Sequence, residues 1–305
     1  MELRQVEYVV AAVETGTFTA AAAALYVSQP SLSQGIARLE AELGVALFHR
    51  VGRRVRLTTA GEAFVSPARR LLRDVTVIHD CVRAVVGLET GSIDVVALPT
   101  LAADPLAAIV GAFRRAYPGV MVRITEPESA DEVAERVWDG RAEVGLAELP
   151  VTRDEVVAVP LLDQELVAVL PPGAKPGDIT VEELATFPLV ATPVGTSTRR
   201  LLTDAFSAAA LTPRIAVETE QREAIVPLVL AGAGAALLPR PLAATAAAHG
   251  ATVSALKPAL RRTIGLVHRV GALSPAAARF CATARDIATL TEAVVDPTLE
   301  HHQPS

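Results

Sequence analysis

Apolar side chains recur every three or four residues through the first third of the chain, which is the period of an amphipathic α-helix. The first such segment runs from about Glu2 to Thr15 and ends at Gly16. A short alanine-rich segment, Thr19 to Leu25, follows, and its small side chains allow another helix to cross it closely. The pattern therefore predicts two helices in succession, followed by a longer third one.

The third helical segment begins with polar residues. Ser28 can cap it, Pro30 lies in the first turn, where its missing N–H costs nothing, and Gly44 ends it. One face is predicted to be buried, formed by Leu32, Ile36, Leu39 and Leu43. Two helices joined by a tight turn make a helix-turn-helix, whose second helix meets base edges in the major groove of DNA. An ordinary helical hairpin is the alternative.

The segment from Phe48 to Thr58 is basic and has the alternation of a two-stranded wing that turns at Gly52. It contains no acidic residue. Its arginines are placed to reach phosphates or the minor groove: Arg50, Arg53, Arg54 and Arg56. A solvated basic loop is the alternative.

Residues Thr59 to Leu88 predict one helix of roughly 45 Å. Its apolar residues step by four and three alternately, which is a heptad seam over about three repeats. So narrow a stripe on a long helix favours a partner helix, most simply a second copy of the chain, although a helix packed on its own domain is the alternative. The dimerisation positions are Phe64, Leu71, Val75, Ile78, Val82 and Val85.

Beyond a short linker at residues 90–92, strands and helices alternate. Strands are predicted at Ile93–Leu98, Val120–Glu126, Val144–Ala147 and Glu165–Leu170, and a late strand at Ile264–Val270. The βαβ order implies a mostly parallel sheet with right-handed crossovers.

Net charge is −6 over 305 residues, which by itself argues against DNA binding. Its distribution removes the objection, because residues 1–91 hold 10 arginines and 9 acids and the remainder holds 18 basic and 25 acidic residues. The N-terminus lacks the pattern of a signal peptide, and no apolar run has the roughly 20 residues of a membrane span, so we expect a cytoplasmic protein. Cys81 and Cys281 are expected to be free thiols, with a redox role of Cys81 as the alternative to an inert one.

The order of these parts resembles the LysR-type transcriptional regulators over nearly the whole chain. The resemblance is carried by VSQPSLS at 27–33, LEAELGVALFHR at 39–50, RRVRLTTAGEAF at 53–64, DGRAEVGLAE at 139–148 and LVLAGAGAALLP at 228–239. One position departs from it, because many members have an arginine after Leu32-Ser33 where this chain has Gln34-Gly35. Gly35 also weakens a helix by roughly 1 kcal/mol relative to alanine.

The resemblance implies an N-terminal all-α winged helix-turn-helix with a long linker helix, and a C-terminal α/β two-lobed, periplasmic-binding-protein-like effector domain. The expected bounds are 1–58 for the DNA-binding domain, 59–91 for the linker, 92–295 for the effector domain and 296–305 for a disordered tail. Lobe I would comprise 92–161 and 268–295, and lobe II 162–267, with the chain crossing near Pro160–Glu165 and Thr263–His268. It further implies homodimers that pair into homotetramers on interrupted inverted repeats, a small-molecule effector between the lobes, and RNA polymerase as a candidate partner.

For DNA contact, the residues expected to read bases are Gln29, Pro30, Ser33 and Gln34, since glutamine can bond adenine in two places and proline can touch a thymine methyl group. Those expected to position the backbone are Ser28, Ser31 and Arg38.

For the effector, open α/β sheets bind ligands at the carboxyl ends of their strands. Two hydroxyl-bearing loops reach helix starts there, and free helix N–H groups favour an anion. The expected contacts are Thr100, Leu101, Glu128, Ser129, Thr196, Ser197, Thr198, Gln221 and Arg222, with ordinary helix caps as the alternative reading.

No enzyme is expected. The histidines lack metal-ligand spacing, no GxSxG nucleophile motif occurs, and the Gly232-Ala233-Gly234 segment lacks the third glycine of a dinucleotide fingerprint, so neither a metal nor another cofactor is anticipated. The rival function is a solute-binding protein of a transport system. A DNA-binding architectural protein that responds to no ligand is a third.

Overall fold

The computed structural model describes residues 1–49, 55–85 and 91–295. It contains two compact units. Unit 1 comprises Met1–Leu88 with Trp138–Arg141, and unit 2 comprises Glu89–Val137 with Ala142–Ser305. None of the described helices combines the length and the apolar character needed to cross a membrane.

Unit 1 begins with three helices: α1 (Leu3–Thr15), α2 (Phe18–Ala24) and α3 (Gln29–Leu43). Gly16 and Gly44 follow α1 and α3 with φ angles of 74° and 69°, the left-handed conformation in which glycine ends a helix. Ser28 caps α3, because its hydroxyl accepts a hydrogen bond from the backbone N–H of Ser31. The predicted helix pair and its turn are confirmed.

The core of unit 1 lies between these helices. Leu32, Ile36 and Leu39 are fully buried in it. Leu43 was predicted on the same buried face, and this is wrong, because it is 41% exposed. The last turn of α3 extends past the core, where Leu43 lines an open apolar groove of about 410 Å³ together with Phe64.

Helix α4 (Thr59–Val85) is introduced by an antiparallel bridge between Phe48 and Leu57. Its seam is divided between two environments. Ala68 is buried against α1, whereas Ile78 and Val82 are 63% and 62% exposed. Among the other dimerisation positions, Phe64 and Val75 are half-buried, Leu71 is exposed, and the side chain of Val85 lies outside the described residues.

Unit 2 is built on β-strands. They are β1 (Gly91–Ala97), β2 (Val120–Thr125), β3 (Val144–Glu148), β4 (Val156–Leu170), β5 (Ile179–Thr180), β6 (Leu189–Ala191), β7 (Ile215–Glu218), β8 (Ala236–Pro239) and β9 (Thr252–Arg269). The main sheet has the order β2-β1-β3-β9-β4-β8. The parallel pair β6 and β7 continues it through a bridge from Leu189 to Ala235.

The expectation of a mostly parallel sheet is wrong. Strand β1 is parallel to β2 and β3, but β9 runs antiparallel to both β3 and β4, and β4 is antiparallel to β8. The predicted strands Glu165–Leu170 and Ile264–Val270 are only parts of β4 and β9, which have 15 and 18 residues. The parts of β4 and β9 that were not predicted carry charged residues and Pro160, which hide the strand pattern. Gly91 and Ser92, predicted to lie in the linker, belong to β1.

The helices of unit 2 are α5 (Pro99–Leu101), α6 (Ala107–Ala116), α7 (Ala130–Trp138), α8 (Val181–Leu184), α9 (Ser197–Ala208), α10 (Ile225–Leu230), α11 (Arg240–Ala248) and α12 (Pro275–Val295). A π-type turn, Ala102–Leu106, joins α5 to α6. The apolar pattern of Pro105–Tyr117 predicts a helix that begins at Pro105, whereas the helical path starts directly after β1, at Pro99. Helix α11 was not predicted, because its alanine-rich sequence has little contrast between faces.

Strands β4 and β9 connect two lobes. Lobe I contains β1 to β3 with α12, and lobe II contains β5 to β8 with α8 to α11. Residues Leu162 and Asp163 pair with Ile264 and Thr263 where the two strands pass between the lobes, and the ladder shifts register between Pro160 and Leu162. This agrees with the crossings that the resemblance implies.

Candidate functional site

The first turn of α3 presents polar side chains to solvent. Of the predicted base-reading residues, Gln29, Pro30 and Gln34 are exposed and Ser33 is half-buried. The Gln29 side-chain amide donates to the Ser33 hydroxyl at 2.7 Å, which holds both side chains at one end of the helix.

The remaining predicted DNA contacts are partly described. Ser28, Ser31, Arg38 and Arg56 are exposed. The Ser28 hydroxyl caps α3 by accepting a hydrogen bond from the Ser31 N–H, and the hydroxyls of the two residues lie 2.7 Å apart. The wing residues Arg50, Arg53 and Arg54 lie outside the described residues, as does the tail 296–305.

Tyr26, in the turn before α3, was missed by the sequence analysis. Its side chain is 96% exposed, and its backbone has a φ of 55°. A bulky residue rarely adopts this left-handed conformation. The available signal was a tyrosine at the turn position where glycine or asparagine is usual.

A cleft of about 750 Å³ lies between the lobes of unit 2. Lobe I contributes Pro99 and Thr100 from the helical segment after β1, Ile124 from β2, and Glu126, which directly follows β2. Lobe II contributes Thr192, Thr198, Arg222 and a largely apolar wall from α10 and α11. A cleft of this size and mixture suits a small organic molecule.

The structure brings only some of the predicted effector contacts to the cleft: Thr100, Thr198 and Arg222. Leu101 is fully buried in the core. Thr196 and Ser197 are 5% and 6% exposed and are used at the start of α9, where the Thr196 hydroxyl accepts from the Arg199 N–H.

The other predicted contacts, Glu128, Ser129 and Gln221, do not line the cleft. The Glu128 carboxylate accepts hydrogen bonds from the Arg222 guanidinium, and the Glu128 carbonyl accepts one from the Ser197 N–H at 3.2 Å. Glu128 therefore ties lobe I to lobe II. The Ser129 hydroxyl accepts from the Glu132 N–H as a helix cap, and Gln221 is exposed.

A buried polar network behind Thr100 was not predicted. Arg262 is 4% exposed and donates to the Gln164 side-chain oxygen at 2.9 Å and 2.5 Å, and to the Thr100 hydroxyl at 3.0 Å. Burial lowers the pKa of Arg262 to about 10, although the nearby Glu148 carboxylate opposes the shift. Because the Thr100 oxygen accepts from Arg262, its own proton is free to point elsewhere, including into the cleft.

Glu148 links this network to lobe II. One of its carboxylate oxygens accepts a hydrogen bond from Arg200 on α9 at 2.6 Å. The other lies 3.9 Å from Arg262 and has no hydrogen-bond partner among the described residues. Neither residue has a sequence signal, because Arg262 lies in the half of β9 that the pattern concealed and Glu148 ends an otherwise apolar strand.

Comparison with protein families gives two matches. The description "Bacterial regulatory helix-turn-helix protein, lysR family" matches residues 3–62, and "LysR substrate binding domain" matches residues 87–289. The HTH-type transcriptional regulator YeiE of Escherichia coli (strain K12) is 30% identical over 283 residues, which cover 91% of this chain and 95% of that protein. The regulator CysB of Burkholderia cenocepacia is 31% identical over 244 residues, 78% of each chain.

Solved structures of full length are also similar. Full-length OxyR from Pseudomonas aeruginosa has a TM-score of 0.78 at 25% identity, covering 100% of this chain and 99% of that one. Full-length CbnR in complex with its target DNA has a TM-score of 0.66 at 26% identity, covering 94% and 99%. The arrangement of an N-terminal helix-turn-helix and a C-terminal α/β domain is therefore shared along the whole chain.

Proposed function

The chain belongs to the LysR family of transcriptional regulators, and we propose that it reads an interrupted inverted repeat in DNA through α3 and changes its hold on that DNA when a small molecule occupies the cleft of unit 2. Its relatives are transcriptional regulators, a class that does not act as enzymes. The observation that carries the proposal is the start of α3, whose first two turns after the Ser28 cap carry the exposed Gln29 and Gln34 and the half-buried Ser33. The relative CbnR, crystallised with its target DNA, supports it.

Base reading is tested by fluorescence anisotropy with the full chain on DNA from its own upstream intergenic region and on scrambled DNA, across a salt series. We expect the upstream DNA to bind at least about a thousandfold more tightly. Gln29→Ala should cost about 1–3 kcal/mol and relax the preference at one position, while Arg56→Ala should weaken both DNAs equally and lower the salt slope by about one. Equal losses on both DNAs for Gln29→Ala would contradict its assignment as a base-reading residue.

For the effector, the lining of the cleft favours a small carboxylate with an apolar body. The apolar wall from α10 and α11 would hold the body, and the Thr100 and Thr198 hydroxyls would donate to the carboxylate. Arg222 is the cationic side chain that lines the cleft, but its guanidinium already donates hydrogen bonds to the Glu128 carboxylate. A carboxylate ligand would compete with Glu128 for Arg222, and this competition would release one of the ties between the lobes.

This mechanism predicts the behaviour of one substitution. Glu128→Gln removes the competing charge, so carboxylate ligands found by a thermal-shift screen should bind several-fold more tightly to the variant. The matched control is Glu165→Gln, which removes the partner of Arg240 on another surface of the same unit. Unchanged affinity in Glu128→Gln, or amide analogues that bind as tightly as the acids, would refute the carboxylate mechanism.

Self-association is proposed through α4, with pairs of dimers on DNA. The exposed part of its seam, formed by Leu71, Ile78 and Val82, supports this, since monomeric proteins seldom expose a contiguous apolar patch. The apolar groove that Leu43 and Phe64 line continues the same surface. RNA polymerase is a proposed further partner of the DNA-bound assembly.

A further inference from the structure

The turn between α2 and α3 is a Schellman motif with tyrosine in the position of glycine. The Val27 N–H bonds to the Ala22 carbonyl at 2.9 Å, and the Tyr26 N–H bonds to the Ala23 carbonyl at 3.2 Å. These two bonds define the motif, and the first residue after the C-cap takes the left-handed conformation that glycine adopts without strain. Tyr26 occupies it with a φ of 55°, so local backbone preference does not account for a tyrosine here.

Packing does not account for it either. The side chain is 96% exposed, so its ring contributes little apolar burial to the core of unit 1. Within the described residues no hydrogen-bond partner of the Tyr26 hydroxyl is recorded. A residue that strains the backbone and stabilises no part of the fold is best explained by a contact outside the chain.

The position of Tyr26 identifies the chemistry of that contact. It lies two residues before Ser28, the cap of α3, and three before Gln29, whose exposed amide begins the recognition helix. In helix-turn-helix proteins the helix start lies against the DNA, and tyrosine hydroxyls are among the groups that donate to phosphate oxygens. The free N–H groups at the start of the 15-residue α3 favour an anion in the same place.

We propose that Tyr26 is a DNA-contacting residue whose hydroxyl donates a hydrogen bond to a backbone phosphate beside the major groove that α3 enters. This inference rests on the proposed role of α3 as the recognition helix. A phosphate contact carries no base sequence, so Tyr26 sets affinity and the register of α3, and leaves base preference to the residues within the helix.

The test uses the full chain with Tyr26→Phe, which removes only the hydroxyl, and Tyr26→Gly, which also removes the ring and relieves the backbone strain. Ala210 provides a matched control, because it has the same φ of 55° in the same motif at the end of α9 in unit 2. Both glycine variants should keep or raise the melting temperature. A loss of affinity in Tyr26→Gly without a loss of melting temperature would thus separate DNA contact from folding.

The expected result by fluorescence anisotropy is about a tenfold weaker affinity for Tyr26→Phe, and at least that for Tyr26→Gly, with equal factors on upstream and scrambled DNA. Because a neutral donor displaces no counterion, the salt slope should stay unchanged, whereas Arg56→Ala lowers it. Ala210→Gly should bind as the unaltered chain does. Wild-type affinity in both Tyr26 variants overturns the proposal, and so does a loss confined to the upstream DNA, which would indicate base reading.

The scrambled-DNA arm keeps this test separate from the proposed function. If the unaltered chain does not prefer its upstream DNA, the proposal that this DNA is its operator fails. The Tyr26 comparison on scrambled DNA at low salt still gives its result, because a phosphate contact is present on any duplex.

Discussion

Replacing Gly35 by alanine sets two physical effects against each other. Gly35 lies inside α3, where alanine is favoured over glycine by about 1 kcal/mol of helix propensity. An alanine Cβ there would lie 2.6 Å and 2.7 Å from two ring carbons of Tyr8 on α1. Carbon atoms pack best at about 3.5–4.0 Å, so one helix or the ring must move by about 1 Å.

The magnitude follows from these two effects. Tyr8 is only 7% exposed, so its ring cannot swing into solvent without leaving the core. Overpacking of this kind costs about 1–3 kcal/mol. After the gain in propensity is subtracted, Gly35→Ala should destabilise unit 1 by about 1 kcal/mol, although a reading based on helix propensity alone predicts stabilisation by the same amount.

Gly111 in α6 provides the control, because a Cβ there meets nothing closer than an Arg115 nitrogen at 3.6 Å, an ordinary contact. Gly111→Ala should stabilise unit 2 by about 1 kcal/mol, so the difference between the two variants isolates the contact with Tyr8. Differential scanning calorimetry, and urea denaturation monitored by circular dichroism, measure the stability of both variants. Stabilisation in Gly35→Ala equal to that in Gly111→Ala would refute the reasoning, and Tyr8→Leu should abolish the penalty in a double-mutant cycle.

Three further predictions follow from other contacts. A Cβ on Gly61 would overlap the Leu47 carbonyl oxygen, which is backbone and cannot rotate away, so Gly61→Ala should cost about 3 kcal/mol or more in urea denaturation of unit 1. A loss under about 1 kcal/mol would contradict this. Burial raises the pKa of Asp104 above 3.8, so the folded state binds the proton more tightly than the unfolded chain. The folded state therefore loses stability as the pH rises from 3.8 through the pKa of the folded protein. Asp104→Asn should therefore gain melting temperature relative to the unaltered chain as the pH rises above 3.8, and a pH-independent difference would exclude the mechanism. Ile78→Asp should weaken self-association at least tenfold in analytical ultracentrifugation, with the neighbouring exposed residue His79 as control in His79→Asp, and equal effects of both would remove Ile78 from the interface.

The elements that the sequence predicted well are those whose ends have their own chemical signals. Helix α3 starts after Ser28 and stops before Gly44 because a hydroxyl cap and a left-handed glycine act locally, whatever the rest of the chain does. Gly35 has no such signal, since only the structure shows that the Tyr8 ring needs its missing Cβ.

Long-range pairing was less predictable. Lys257, Pro258, Arg261 and Arg262 interrupt the first two thirds of β9, so its periodicity reveals only the apolar part that follows. Its place between β3 and β4 is decided by residues about 100 positions away. The same limit applies to the cleft. Thr100 could be predicted from its place after β1, but Arg262, which bonds to it, comes from the far end of the chain.

The position of β9 in the middle of the main sheet has a consequence for synthesis of the chain. Lobe I is not contiguous in sequence, because β3, already paired with β1 on one edge, acquires its second neighbour only when the residues of β9 around Gly265 have been made. Since domains form as they leave the ribosome, unit 1 can fold first, whereas the edge of β3 waits for more than 100 further residues. During that interval an apolar strand with unpaired backbone groups is open to wrong partners. A truncation after β8 would therefore remove the central strand shared by both lobes, and chaperones that cover strand edges would be needed most while the second lobe is being translated.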